Sequence, residues 1–247
     1  GFLAFLERES GNAQALYILG DLFNVWIGDD DDRPLRATIT SALKHHAEAG
    51  LAVYLMHGNR DFLLGSTFAR ESGAKILEEP YLLQHQNQHY LLLHGDVLCT
   101  RDTDYLNFRA LVRNPAWQQQ FLAKPLAERR AFAEQARARS QTMNSNKAAD
   151  IMDVTPEEVD KVLQQHQVTT MIHGHTHRPA VHELAAGQRI VLSDWKTSWP
   201  DLAAVRGAVR LDGTEVDAGH GRDVLGHPFG PLVWLAEQLA HEGRGIR

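Results

Sequence analysis

Short apolar runs alternate with segments of helical periodicity along most of the chain. Apolar runs bounded by glycine and polar residues are typical of buried strands, whereas apolar residues that recur every three or four positions are typical of helices. Strands are predicted at residues 15–19, 51–56, 74–77, 81–84, 88–93, 169–172, 180–184, 190–193 and 205–211. Helices are predicted at residues 1–9, 34–49, 62–72, 155–166 and 231–241. The alternation predicts an α/β fold.

Residues 101–150 interrupt this alternation with helical segments that contain few strand formers. Between Asp102 and Lys147 there are eight Lys and Arg residues but four Asp and Glu residues, a local charge of +4 in a chain of net charge −6. The same segment carries apolar residues such as Phe108 and Trp117. A basic amphipathic insertion suits a membrane surface or a lipid phosphate. The alternative is a helical cap whose charges are solvated.

The composition places the chain among ordinary globular proteins. Its 247 residues, 43% hydrophobic and 23% charged, predict one domain over residues 1–247, with residues 101–150 inserted in it. The single cysteine excludes an internal disulfide framework and favours a reducing compartment. The net charge of −6 gives no reason to expect a nucleic-acid partner, and no apolar run is long enough to span a membrane.

Polar residues of the kinds that bind metals follow four of the predicted strands. They are Asp21, Asn59, His94, and the pair His175 and His177. Each alone could be a turn residue, but open α/β sheets place their chemistry at the carboxyl ends of strands, where these side chains would meet. Imidazole is the commonest metal ligand among neutral side chains. Together the five residues predict a metal site.

A run of four aspartates at residues 29–32 precedes the helix that begins near Pro34. The run could hold a cation. The alternative, which we favour, is a solvated entry to the helix, because the positive end of the helix dipole attracts anions.

The strand-end residues resemble the motifs of the calcineurin-like metallophosphoesterases, at residues 20–21, 58–61, 94–96 and 174–177. The closer resemblance is to one branch, the UDP-2,3-diacylglucosamine pyrophosphohydrolases of lipid A biosynthesis in Gram-negative bacteria. It is carried by residues 17–23, 26–30, 57–65 and 172–181 and extends from residue 1 to about residue 211. Arg60 is its most specific feature, because most of the superfamily has histidine at that position.

This resemblance implies a β-sandwich flanked by helices, with residues 101–150 as an inserted helical lid over a centre of two metal ions. Asp21 would bridge the two metals, His177 would hold the first, and the second would be held by Asn59, His94 and His175. The mixture of carboxylate, amide and imidazole ligands suits Mn²⁺ better than Zn²⁺. The family takes two further ligands for the first metal from an Asp-x-His strand at its N-terminus. We expect that strand to precede Gly1, so that the chain is incomplete there and its first site has only Asp21 and His177.

The resemblance also implies which residues would contact the substrate. They are Asn59, Arg60, Asp102, Tyr105, Ser140, Asn144, Lys147 and His175. Asn59 and Arg60 would be catalytic. A guanidinium can stabilise phosphoryl charge but cannot give up its proton, so it suits a leaving group that needs little protonation.

The activity implied is hydrolysis of the pyrophosphate of UDP-2,3-diacylglucosamine at its α-phosphorus, which releases UMP and 2,3-diacylglucosamine 1-phosphate. We expect a monomer in the cytoplasm, bound peripherally to the cytoplasmic face of the inner membrane. One alternative is another calcineurin-like phosphoesterase, against which Arg60 and the basic insertion argue. The other is a catalytically impaired fragment that only binds a lipid or a nucleotide.

Overall fold

The computed structural model describes residues 2–145, 151, 153–185, 187–192, 206–211 and 214–220. The sequence predicts a single domain over residues 1–247, but the chain divides into two compact units, Gly1–Trp195 and Lys196–Arg247. The helix predicted at residues 231–241 lies outside the described residues.

The first unit contains seven helices and eight strands among its described residues. The helices are α1 (Phe2–Glu9), α2 (Pro34–Glu48), α3 (Ser66–Ser72), α4 (Thr103–Val112), α5 (Pro115–Leu122), α6 (Leu126–Ser145) and α7 (Pro156–His166). The strands are β1 (Ala15–Ile18), β2 (Ala52–Met56), β3 (Lys75–Leu77), β4 (Tyr81–His85), β5 (Gln88–Leu93), β6 (Thr170–His173), β7 (Ala180–Leu184) and β8 (Gly187–Val191). In the second unit, β9 (Arg206–Leu211) and β10 (Thr214–His220) form an antiparallel pair.

The strands of the first unit form two sheets. One is parallel, in the order β1-β2-β3. The other is mixed, in the order β4-β5-β6-β8-β7, with β5, β6 and β8 parallel and with β4 and β7 antiparallel at its two edges. The parallel strands of each sheet end at one edge, so the residues that follow them are brought together.

Alternation along the strands divides the apolar residues into three layers. Tyr17 on β1, Met56 on β2 and Leu92 on β5 belong to one cluster, which contains residues of both sheets and therefore fills the space between them. Leu16 and the other outward residues of the parallel sheet pack with α1, α2 and α3. Leu91 and its neighbours on the mixed sheet pack with α7. The predicted sandwich flanked by helices is confirmed.

Between residues 101 and 145, the described part of the insertion, the chain forms helices α4, α5 and α6, as predicted. Four of the eight Lys and Arg residues at positions 102–147 are used inside the protein, because Arg109, Arg113, Arg129 and Arg130 bind carboxylates or carbonyl groups of the flanking structure. The basic charge is therefore not available as a whole to an anionic surface. No helix within the described ranges is long and apolar enough to cross a membrane.

The aspartate run at residues 29–32 is more than a solvated helix entry, because Asp30 and Asp32 are exposed but all four side chains bond to other groups of the protein. Asp29 accepts hydrogen bonds from the backbone nitrogens of Gly65 and Phe68, both at 2.9 Å, and so fixes the start of α3. This contact explains why the helix predicted from residue 62 begins at Ser66. The next three aspartates pair with arginines, among them Arg129 and Arg130 of α6. The run therefore joins the insertion to the sandwich.

Candidate metal centre

Three of the predicted metal ligands converge at the ends of their strands. The Oδ1 atom of Asn59 lies 3.0 Å from Nε2 of His94 and 3.0 Å from Nδ1 of His175. The two imidazole nitrogens are 3.2 Å apart. Asn59 follows β2 in the parallel sheet, whereas His94 and His175 follow β5 and β6 in the mixed sheet. The cluster therefore lies across the edge shared by both sheets.

The spacing of these donor atoms fits one metal ion. Donors about 2.1 Å from an ion, at right angles to one another, are about 3 Å apart. No group of three or more His, Cys, Asp or Glu side chains in the described part of the chain is arranged to hold a metal, and the oxygen atom that lies 3.0 Å from both imidazoles is the amide oxygen of Asn59. Burial, with His94 adding to it, lowers the pKa of His175 to about 3. Its imidazole is therefore neutral and has a lone pair for a cation.

The orientation of His94 is fixed by a hydrogen bond on the side of the ring that faces away from the donor cluster. Its Nδ1 atom is hydrogen-bonded to the carbonyl oxygen of Leu19 at 2.8 Å, and the side chain is 1% exposed. A hydrogen bond at one ring nitrogen leaves the other, Nε2, to face Asn59 and His175. This arrangement is typical of metal-ligating histidines.

Asp21 completes one side of the cluster. Its Oδ1 atom accepts a hydrogen bond from the backbone nitrogen of Arg60 at 3.0 Å and lies 3.9 Å from Nε2 of His94. The φ angle of Asp21 is 55°, a left-handed conformation that is uncommon for aspartate and typical of functional sites. Asp61, which is completely buried, holds this conformation by accepting hydrogen bonds from the backbone nitrogens of Asp21 and Gly58 at 3.1 and 2.8 Å. Burial, and then the charge of Asp21, raise the pKa of Asp61 to about 6.

Two glycines permit the close approach of these loops. A Cβ atom at Gly58 would collide with the carboxylate and the backbone nitrogen of Asp21. A Cβ atom at Gly20 would lie 2.6 Å from Gly58 and from Nδ1 of His94, and Gly20 also has a φ of +85°. Both glycines are therefore required by space, and Gly20 is required by its backbone conformation as well.

Arg60 and His177 lie together beside this cluster. A terminal nitrogen of Arg60 is 3.4 Å from Nε2 of His177, and its Nε atom is 3.4 Å from Oδ2 of Asp21. His175 and His177 both have left-handed φ angles, 66° and 55°. The turn thereby directs His175 into the donor cluster and His177 toward Arg60. The predicted division of the two histidines between two metals agrees with this separation and stays a prediction.

Sequence comparison matches the part of the chain that carries these site residues to known proteins. A sequence profile of the calcineurin-like phosphoesterases matches residues 2–179. The UDP-2,3-diacylglucosamine hydrolase of Cellvibrio japonicus (strain Ueda107) is 54% identical to the chain over 198 residues, which are 78% of this chain and 82% of that one. The chain is a calcineurin-like phosphoesterase of the UDP-2,3-diacylglucosamine hydrolase family. The hydrolases of Serratia proteamaculans (strain 568) and Escherichia coli O7:K1 (strain IAI39) are 49% and 51% identical over 215 and 201 residues, which are 85% and 80% of this chain and 90% and 84% of theirs.

The predicted substrate residues of this hydrolase-family chain lie in two regions. The ring of Tyr105 is 5.8 Å from that of His175, and its hydroxyl donates to Asp96. The carboxylate of Asp102 accepts a hydrogen bond from the backbone nitrogen of Tyr105 at 3.1 Å and thereby caps α4. Ser140 and Asn144 lie on α6, and Lys147 lies outside the described residues. Their contacts with substrate stay predictions.

Four residues close to the centre of this hydrolase-family chain were assigned no role from the sequence. They are Asp61, Glu79, Arg109 and Arg113, and each bonds to a loop that carries a predicted ligand. Asp61 belongs to the motif at residues 58–61, which is a reason for assigning it a role from the sequence. Glu79 and the two arginines stand in no motif, so only their contacts reveal them.

Proposed function

We propose that the chain hydrolyses UDP-2,3-diacylglucosamine to UMP and 2,3-diacylglucosamine 1-phosphate, a step in lipid A biosynthesis. The observation that carries the proposal is the position of Arg60, whose guanidinium adjoins Asp21 and His177 at the edge of the donor cluster. Identities of about 50% to relatives named for this substrate support it.

Arg60 accounts for the type of bond that is cleaved. Its side chain is 36% exposed, so it can meet an incoming phosphate group, and its Nη1 atom donates to Oδ1 of Asn24 at 3.1 Å. A guanidinium stabilises the charge of the phosphoryl group but provides no proton. The leaving group, a sugar phosphate, leaves as an anion and needs little protonation. In this reaction the oxygen of water forms a bond to the α-phosphorus, and the bond from that phosphorus to the bridging oxygen breaks.

The donor set is suited to a metal of the first transition series. When bound, divalent metal ions act as Lewis acids that lower the pKa of water and polarise phosphoryl oxygens. We propose Mn²⁺ as the metal, which Asn59, His94, His175 and Asp21 would hold, and Asp21 and His177 are the residues that would hold a second ion. Amide, carboxylate and imidazole donors together match Mn²⁺ better than the thiolate-rich sites of Zn²⁺.

We also propose a cytoplasmic monomer that works at the inner surface of the membrane. The substrate carries two acyl chains, and exposed apolar side chains on the insertion offer a surface for them. Phe108, Leu111, Leu122 and Phe132 are each 39% to 54% exposed. Apolar residues on basic helices are typical of proteins that bind membranes peripherally.

A substrate panel tests the proposal. The purified protein is supplied with Mn²⁺ and assayed for UMP release from UDP-2,3-diacylglucosamine, and for release of p-nitrophenol from p-nitrophenyl phosphate and bis-p-nitrophenyl phosphate. We expect the lipid pyrophosphate to be preferred by at least about a hundredfold in kcat/KM. Equal rates on the generic esters would favour another phosphoesterase activity, and tight binding of the lipid without turnover would favour a binding module.

A further inference from the structure

Three polar side chains follow one side of α4 inside the insertion. Tyr105 and Arg109 lie on α4 and Arg113 is its C-terminal cap, and their spacing of four residues places them along the same side over a length of about 12 Å. Together they contact the loops of the candidate metal centre. Tyr105 lies against His175 and donates to Asp96 beside His94, as described above.

Arg109 reaches the loop that carries His94. Its Nε atom donates to Asp96 at 2.9 Å, and its Nη2 atom donates to Oε2 of Glu79 at 3.1 Å. The other oxygen of Glu79 accepts hydrogen bonds from the backbone nitrogens of His94 and Gly95, at 2.8 and 3.2 Å. A single carboxylate therefore stands between the helix and the backbone of a predicted metal ligand.

Arg113 reaches the loop that carries Asn59. Its Nη2 atom donates to the carbonyl oxygens of His57 and Gly58 at 3.3 and 3.0 Å. Its guanidinium also lies over the ring of Phe62, 5.6 Å from the ring centroid. The arginine thus binds the chain on both sides of Asn59.

These contacts act just beyond the ends of the strands, where a backbone hydrogen bond from Gly174 to the carbonyl oxygen of His94, at 2.9 Å, also holds the loop of His94. β2 ends at Met56 and β5 ends at Leu93, so both ligand-bearing loops lie beyond the hydrogen-bond ladders of their sheets. A planar guanidinium bonds to two acceptors at once in a fixed geometry, which fixes their relative positions. Groups that orient metal ligands from behind typically change metal affinity 10-fold to 100-fold when they are removed.

We propose that Arg109 and Arg113 are positioning residues of the metal centre, through which helix α4 of the insertion holds the loops of His94 and Asn59 at the spacing a metal ion requires. The insertion then supports the metal as well as covering the substrate. This inference rests on the metal dependence of the proposed function but not on the identity of the substrate.

Metal titration of the variants Arg109→Met and Arg113→Met tests the inference without substrate. Mn²⁺ alone is titrated into metal-free protein in a calorimeter, and the unfolding midpoint of the metal-free protein is measured in parallel. We expect each variant to bind Mn²⁺ about 10-fold to 100-fold more weakly. Lys124→Met is the matched control, because it also removes one positive charge from the insertion but at an exposed side chain that pairs with Glu128, four residues further along the chain.

A double-mutant cycle separates positioning from a general loss of stability. Glu79→Gln and Arg109→Met should not be additive in their effect on Mn²⁺ affinity, because both break one connection, whereas Glu79→Gln and Arg113→Met should be close to additive. The variant Arg109→Lys should also bind Mn²⁺ weakly, because an ammonium group cannot bond to Glu79 and Asp96 at once as the planar guanidinium does. Wild-type affinity in both methionine variants would overturn the inference. The inference would also be overturned if the Mn²⁺ affinities of the variants fell only in proportion to their unfolding midpoints. Additive effects of Glu79→Gln and Arg109→Met on Mn²⁺ affinity would overturn it as well.

Discussion

The amide oxygen of Asn59 lies 3.0 Å from the Nε2 atom of His94, although the two residues follow strands of different sheets. The candidate metal centre is therefore not the product of one sheet edge. It exists only where the two sheets of the sandwich are packed together, and the cluster between the sheets, which includes Leu19, Met56 and Leu92, sets their distance.

The substitution Asn59→Ala should abolish the shared donor of the cluster. Its amide oxygen is within 3.0 Å of both imidazoles, so its loss leaves two nitrogens where a metal would need further oxygen ligands. We expect Mn²⁺ affinity and kcat each to fall by at least about 100-fold. Asn59→Asp keeps an oxygen at the same position and is the matched control. Unchanged metal affinity in Asn59→Ala would remove Asn59 from the ligand set.

Gly58→Ala should destabilise the protein by about 1–3 kcal/mol, because the added methyl group would occupy the space of the Asp21 carboxylate. Gly11→Ala is the matched control, since a Cβ atom there has no neighbour within 4 Å. The free energy of unfolding is measured in urea for both variants. Equal free energies for the two variants would show that the loop of Asp21 can move aside.

The ends of the strands could be predicted from the sequence because a glycine followed by a ligand-type residue marks each of them locally. Asp21, Asn59, His94 and His175 each stand directly after such a glycine or in the same motif. The alternation of apolar residues also predicted nine of the ten described strands, and the structure moves most of their boundaries by a residue or two; β10 was not predicted. At β8, the strand predicted at residues 190–193 runs instead from Gly187 to Val191.

The supports of the site could not be predicted in the same way. Glu79 and Arg109 are 30 residues apart, and neither is distinguished from an ordinary surface residue by its neighbours in the sequence. The aspartates at residues 29–32 were misinterpreted for the same reason, because their partners Arg129 and Arg130 are about 100 residues further along the chain. Only the packing of the insertion against the sandwich brings such charges together. The local sequence pattern thus predicts the candidate metal ligands better than it predicts the residues that hold those ligands in position.

Arg129→Met should loosen the insertion. The guanidinium is 3% exposed and donates to the carbonyl oxygens of Ile27 and Lys124, at 2.7 and 2.9 Å, and to Asp30. Its removal should lower the free energy of unfolding by about 2–3 kcal/mol, because hydrogen bonds of a buried charged group are lost. Hydrogen exchange of the α6 amides should accelerate, whereas that of β6 should be unaffected. Exposed Arg137 provides the control, Arg137→Met, and equal exchange rates in the two variants would contradict the prediction.

The pairing of Asp30 with Arg129 should also appear in the dependence of stability on pH. The hydrogen bond from Arg129 lowers the pKa of Asp30 in the folded protein. A carboxyl with a lowered folded pKa contributes stability fully above its unfolded pKa of about 3.9, and this contribution is lost as the pH falls through the folded pKa. Asp30→Asn should therefore reduce the slope of unfolding free energy against pH below about pH 4. In the Arg129→Met background the same substitution should leave that slope unchanged, and a change there would assign the effect to another partner.

Arg60→Lys should separate the charge of Arg60 from its shape. An ammonium group keeps the positive charge but cannot donate hydrogen bonds to two oxygens in one plane. It should therefore still attract the pyrophosphate but stabilise the transferring phosphoryl group less well. We expect kcat for UMP release to fall by about 10-fold to 100-fold with a smaller change in KM, since an interaction made mainly in the transition state is weakened. Mn²⁺ affinity should be close to that of the wild type, because Arg60 provides no metal ligand. A rise in KM at constant kcat would make Arg60 a residue of substrate binding only, and loss of Mn²⁺ binding would mean that its contact with Asp21 serves the metal centre instead.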